Sequence, residues 1–221
     1  MIRFAVKGLL GRKLRTALTA LAILLGVATV SGTYVLTDSI SKAFDAIFSE
    51  IYRSTDASIT GQTAFDTNAN EGGGFEPPPF AEGLLEEVLA LPEVEAAIGG
   101  VAGEAQLVGD DGKAIVFGGA PNLGFSVDPT QPRFNTLTLE EGEWPRADEV
   151  VIDVATADKK DIAVGSTIGV QADGPVERLR VSGLVKFGAV ETIGGATLAG
   201  FDLPTAQRLF EKEGLLDQIR V

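Results

Sequence analysis

Between Thr16 and Thr37 the chain runs for 22 residues without a charged side chain, and this limits its possible folds more than any other stretch. As a helix it would be about 33 Å long, against a hydrocarbon core of about 30 Å. One crossing of a bilayer fits. The centre, Ala20 to Ala28, is apolar apart from one glycine, while Thr29, Ser31, Thr33 and Tyr34 gather towards the far end. Such hydroxyls can bond back to helix carbonyls, and a tyrosine suits the lipid–water interface. Arg12, Lys13 and Arg15 flank the run on its N-terminal side, with Arg3 and Lys7 further out, and Asp38 closes it. By the positive-inside rule, this asymmetry places the N-terminus in the cytoplasm and everything after Thr37 outside.

A cleaved signal peptide shares the basic and apolar segments, but three features weigh against it. The apolar run is longer than a typical h-region. Its nearest small-residue site, Gly26-Val27-Ala28, lies inside the run, and a lipoprotein anchor is impossible because the chain has no cysteine. The stub before the span carries Ile2, Phe4, Val6, Leu9 and Leu10 among its cations. It either lies on the anionic inner leaflet or is simply a charged flank.

Charge separates the two sides. Of the 18 basic residues, five precede the first acidic one, which leaves 13 against all 31 acidic residues from Asp38 onward, a net of −18 outside. Nucleic acid is excluded as a partner, because affinity for a phosphate backbone comes largely from basic side chains. The absence of histidine and cysteine removes Ser/His/Asp and Cys/His nucleophilic arrangements, disulfides, haem attachment and the usual zinc ligands. There is no G-x-x-x-x-G-K-[ST], so any phosphate cradle for ATP belongs to another polypeptide. Carboxylates cluster at Asp110-Asp111 and at Glu140-Glu141-Glu143. Neither has the alternating spacing of a calcium loop, so both read as solvated turns. No catalytic residue, metal ligand or cofactor site is expected, and a surface enzyme working through carboxylates alone ranks last among the possible functions.

The sequence divides into a basic cytoplasmic stub (1–15), a transmembrane helix (16–37), an extracytoplasmic stalk helix (38–60), a flexible Gly/Pro-rich loop (61–79) and an α+β core (80–221). In the stalk, Ile40, Phe44, Ile47 and Ile51 are spaced four, three and four apart, a two-per-heptad stripe. Either another helix packs on this stripe or the downstream domain folds back over it. Residues 61–79 have too few large apolar side chains to offset the entropy of ordering.

The core alternates short helices and strands. A helix is expected from Phe80 to Leu91, burying Leu84, Leu85, Val88 and Leu91 and stopped by Pro92. Strands are expected at 94–101, at 104–108 and 114–117 around Asp110-Asp111-Gly112, at 150–153, at 167–171 and 179–185 around Ala172-Asp173-Gly174, and at 197–201. Short helices are expected at 155–160 and from Pro204 to Glu213, the latter burying Leu203, Ala206, Leu209 and Phe210. Leu216 to Val221 begins another extended stretch, so the core reads as incomplete.

The order of basic stub, apolar helix and large outer insertion resembles the start of an ABC transporter permease of the MacB/FtsX type. Leu139-Glu140-Glu141-Gly142-Glu143-Trp144-Pro145, followed by Asp148-Glu149-Val150-Val151-Ile152, is similar to one family segment. Ala157 with Ile162-Ala163-Val164-Gly165-Ser166-Thr167-Ile168, and then Arg180-Val181-Ser182-Gly183-Leu184-Val185, are similar to the next two, with Ser166 standing where an acidic residue is usual. Family permeases continue with three further membrane helices, so the chain reads as the N-terminal part of one or a truncated product. The resemblance implies a bacterial inner-membrane protein, not itself an enzyme, with a MacB-type periplasmic core domain. It implies a separate ABC-type ATPase, a homodimer or paired permease, and action on a lipoprotein, peptide, drug or cell-wall enzyme. A single-pass anchored binding or sensory module is the alternative.

Overall fold

The computed structural model describes residues 13–51, 54–62, 77–118, 120–188 and 195–221. Most of the basic stub, Arg12 included, and most of the glycine-rich loop lie outside the described residues. The chain divides into two compact units, Met1–Ile47 and Phe48–Val221.

Helix α1 runs unbroken from Lys13 to Ile51, 39 residues, or about 58 Å at the usual rise. No proline interrupts it. Its glycines, Gly26 and Gly32, are isolated among good apolar helix formers. Thr19, Thr29 and Thr33 donate their hydroxyls to the carbonyls of Arg15, Leu25 and Thr29 at 2.9 Å each, which satisfies polar groups an apolar surrounding would penalise. Lys13–Val35 is long and apolar enough to cross a membrane, and none of it is buried within the protein. Leucine, isoleucine and valine exposed all around a helix match a lipid solvent. The helix ends earlier than the expected 38–60 stalk, because Ser58–Thr60 (β1) is drawn into a strand by main-chain pairing.

Among the described residues, two sheets and a short pair make up the outer unit. Its remaining strands are β2 (Phe80–Ala81), β3 (Ile98–Gly100), β4 (Ala102–Glu104), β5 (Gln106–Val108), β6 (Asn122–Ser126), β7 (Leu137–Gly142), β8 (Glu149–Asp153), β9 (Thr167–Gln171), β10 (Glu177–Phe187), β11 (Thr197–Phe201), β12 (Leu215–Leu216) and β13 (Gln218–Arg220). Short helices accompany them: α2 (Leu84–Leu89), α3 (Val154–Lys160) and α4 (Leu203–Leu209). The eight-stranded sheet has the order β4-β6-β11-β8-β10-β9-β5, with β7 also on β10. Strands β4 and β5 stand at opposite ends of that order, yet only Ala105 separates them in sequence. The sheet therefore closes on itself as a small barrel, and Ala105 is fully buried at the seam, its N–H donating to the Asn122 carbonyl at 3.0 Å.

Leu107, Val150, Ile152, Ile168, Val170, Leu179, Val181 and Phe201 belong to the buried core. Burying each such side chain contributes roughly 1.5–3 kcal/mol. Strand β8 is apolar on both faces: Val150 and Ile152 join that core, while Val151 packs towards Gly200. Phe210, just after α4, lies over Gly103 and Gly124, where any Cβ would meet its ring within 2.8 Å, and stands edge-on to Phe201 with centroids 6.4 Å apart.

A smaller antiparallel sheet, β1-β13-β3, has fully buried Ile219 on its middle strand. Strand β12 pairs with β2. The expected strands at 150–153, 167–171, 179–185 and 197–201 are present, and Ala172-Asp173-Gly174 lies between antiparallel β9 and β10. Elsewhere the expectations need correction. Phe80–Leu91 is not one helix: Phe80–Ala81 is claimed by β12, so α2 has only six residues and Leu91 is left 51% exposed. The 94–101 strand shrinks to β3, the 104–108 strand splits across the barrel seam, and the 114–117 arm is a single bridge between Ala114 and Val108. Helix α4 stops at Leu209, short of Glu213, where Glu211 takes a left-handed φ of 50°.

Candidate functional site

The residues singled out from sequence fall in two groups. Lys13 and Arg15 are exposed in the first turn of α1, and Arg12 lies outside the described residues. Ile40, Phe44, Ile47 and Ile51 are all backbone positions of α1, on the same unbroken helix as the apolar span. The cation flank and the stripe therefore lie on one helix.

The strand beyond that helix carries no signal of its own in the sequence. Six residues separate Ile51 from β1, whose partners are Ser58↔Arg220, Ile59↔Ile219 and Thr60↔Gln218. The pairing extends backwards. Asp56 and Ala57 donate their N–H groups to the Val221 carbonyl at 2.7 and 3.3 Å, and the Val221 N–H returns a bond to Ala57 at 2.9 Å. On its other edge β13 pairs with β3 through Gln218↔Gly100, Ile219↔Gly99 and Arg220↔Ile98. Leu216, fully buried, fills the space beside Gly99, where a Cβ would sit 2.5 Å from its methyl carbon. The guanidinium of Arg220 lies 5.9 Å from the centroid of buried Phe134. Residues 56–60 are thus zipped onto β13, whose Ile219 is fully buried.

Three of the clustered carboxylates are matched by cations. Asp110 accepts from Arg178 at 2.6 Å, and Asp111 takes the Lys113 N–H at 3.1 Å with the same lysine's ammonium 3.1 Å away. The Lys113 main-chain bond, seconded by its side chain, lowers the Asp111 carboxyl below its ordinary value. Glu140 pairs with Lys186 at 3.2 Å. Among the described residues no group of three or more His, Cys, Asp or Glu converges as metal ligands would. Arg208 bridges Asp148 at 2.8 Å and Glu177 at 3.0 Å, and the Glu177 bond raises its pKa. Asp148 itself sits in the left-handed conformation, φ 62°.

Residues 16–221 match the family described as MacB-like periplasmic core domain. The chain belongs to that family. The match takes in the apolar helix as well as the outer unit, and it upholds the resemblance of this MacB-like chain to the N-terminal region of a MacB/FtsX-type permease. Among solved structures, the extracellular domain of the noncanonic ABC-type transporter YknZ from Gram-positive bacteria aligns with a TM-score of 0.50 and 11% identity, over 73% of this chain and 79% of that one. The periplasmic region of MacB from Actinobacillus actinomycetemcomitans aligns with a TM-score of 0.48 and 14% identity, over 76% and 75%. No curated protein matches the chain. At these identities the YknZ likeness speaks for the α+β fold alone.

Proposed function

We propose that this MacB-like chain is the membrane subunit of an ABC transport system, carrying the working cycle of a separate ATPase across the bilayer to its outer domain. One observation carries the reading: the helix that holds the apolar span continues unbroken to Ile51, and six residues further on the chain enters a strand paired with β13, whose Ile219 is fully buried. A tether alone needs no such continuity, since a flexible linker would serve. A rod of roughly 58 Å conveys rotation or translation along its length. In this reading Arg12, Lys13 and Arg15 hold the N-terminus in the cytoplasm. Ile40, Phe44, Ile47 and Ile51 meet the same stripe on a second copy or a paired permease. The outer domain then acts on a lipoprotein, peptide, drug or cell-wall enzyme.

The test is the double change Phe44→Asp with Ile47→Asp, in the chain co-purified with its ATPase and reconstituted in nanodiscs. Membrane insertion should persist while transport-coupled ATP hydrolysis is lost. Hydrolysis at the parental level would sink the stalk reading. Failure to capture any ATPase would favour an anchored binding module instead.

A further inference from the structure

The two sheets of the outer unit are joined by the chain at two nearby passages. One is Val101, the single residue between β3 and β4; the other is Phe210–Asp217, which leads from α4 through β12 into β13. We propose that Lys212 and Asp217 form a latch that fixes the angle between the β1–β13–β3 sheet and the barrel, so that movement of β13 reaches the barrel. The latch rests on the mechanical reading of the helix and its junction.

Three bonds converge there. Asp217 Oδ2 accepts from Lys212 Nζ at 2.8 Å and from the Ala102 N–H at 2.9 Å, and Lys212 Nζ also donates to the Ala102 carbonyl at 3.2 Å. Ala102 opens β4 immediately after the bend. Asp217 immediately precedes β13, and its own N–H donates to Gly100 at 3.0 Å. Asp217, through its side chain and its own N–H, therefore ties the second passage to both neighbours of Val101, and Lys212 braces its carboxylate.

The backbone around Val101 is rich in glycine. Gly99, Gly100 and Gly103 surround Val101, and glycine resists changes of φ and ψ less than any other residue. Beyond the latch, Val101 itself is held by Ser126, whose Oγ accepts its N–H at 3.0 Å and whose N–H donates to its carbonyl at 2.9 Å. The pair is also unlike the others described. Its side chains are 15% and 21% exposed, whereas every other described pair keeps one partner at least 40% exposed. Charge-assisted bonds shielded from water are less screened by salt than surface pairs. Latch strength at this corner decides whether the two sheets move as one body.

The absence of cysteine allows clean labelling of the full chain in nanodiscs, with spin labels at Ser58→Cys on β1 and Thr167→Cys on β9, both exposed positions. The parent should give one narrow distance distribution. Asp217→Ala and Lys212→Ala should each broaden it by about twofold or more, as expected when a local restraint is lost. Asp217→Asn keeps an acceptor for Ala102 but loses the ion pair, and should broaden it less. Unchanged widths in both alanine variants overturn the latch. So does a lowered melting temperature without broadening, which would make the pair a stability contact only. If Asp217→Ala does not fold, Lys212→Gln decides. The readout needs no ATPase, so a negative result here leaves the stalk experiment to judge the transport reading separately.

Discussion

Replacing Gly183 by alanine should destabilise the outer unit more than its size suggests. Gly183 is buried in β10 at the point where that strand changes neighbours. It faces Gly142 of β7 on one edge and Val151 of β8 on the other, and the register shifts at Val181/Gly183 and again at Leu184/Val185. A Cβ built there falls 2.7 Å from the carbonyl oxygens of both Glu141 and Glu143 and 2.9 Å from a methyl carbon of Leu139. Ordinary carbon–oxygen contacts lie at about 3.3 Å or more, so two main-chain oxygens would have to retreat together by about 0.6 Å. Leu139 can rotate away; the carbonyls cannot, because the Glu143 N–H is bonded to Ser182 at 2.9 Å. Overpacking of this kind costs about 1–3 kcal/mol. In a domain of this size each kcal/mol lowers the melting temperature by about 2–4 °C, so a drop of about 2–12 °C is expected. The fluorescence of Trp144, the single tryptophan, reports unfolding beside the perturbed site in the full chain in detergent. Gly174→Ala is the control: its added Cβ would meet nothing closer than Glu211 at 3.8 Å. If Gly183→Ala melts with the parent and with the control, the steric reasoning is wrong.

Three further outcomes are expected. Asp153 is 2% exposed and uses a different oxygen for each buried partner, Oδ1 for the Thr156 N–H at 2.7 Å and Oδ2 for the Leu198 N–H at 2.9 Å. Asp153→Asn must therefore turn an NH₂ towards one donor, and chemical denaturation should show a loss of about 1.5–3 kcal/mol, the worth of a hydrogen bond to a charged group. Asp161 caps α3 in the left-handed region, φ 54°, with its side chain exposed; Asp161→Gly should raise stability by up to about 1 kcal/mol in the same assay. The Asp111 carboxyl should titrate below its ordinary 3.8 in a carboxyl-carbon NMR titration. Because its pKa is depressed on folding, the turn's stabilisation is present above the unfolded value and lost as pH falls through the folded one. Lys113→Ala should move the midpoint upward by removing the side-chain part.

The helix and the core strands were readable because burial was written into single stretches. An uncharged run of 22 residues has few alternatives to a membrane span, and Val150-Val151-Ile152 or Leu179 to Val185 has few alternatives to a buried strand. Strands β6 (Asn-Leu-Gly-Phe-Ser) and β7 (Leu-Thr-Leu-Glu-Glu-Gly) were missed for the opposite reason: glycine and acidic residues sit where a strand pattern wants apolar ones. Gly124 is there to admit the ring of Phe210, and the acidic end of β7 faces outward, so their logic lies in distant partners. The stripe of the proposed stalk was legible as spacing. The sheet that receives it was not, because Ser58-Ile59-Thr60 acquires a strand conformation only by pairing with residues some 160 positions later.

That long-range pairing also bears on how the junction would respond to load. A displacement directed along β1 is shared by every rung of the ladder with β13, whereas one directed across it opens the rungs singly, beginning at the Asp56 and Ala57 bonds to Val221. Net hydrogen bonds of about 1 kcal/mol each resist the first mode together and the second one at a time. A sheet of three short strands can therefore be a stiff coupling in one direction and a weak one in another. Buried Ile219, which packs the middle strand into the core, keeps even the weak direction from detaching β13 itself. Under transverse load β1 would therefore part from β13 before the barrel opens at Ala105.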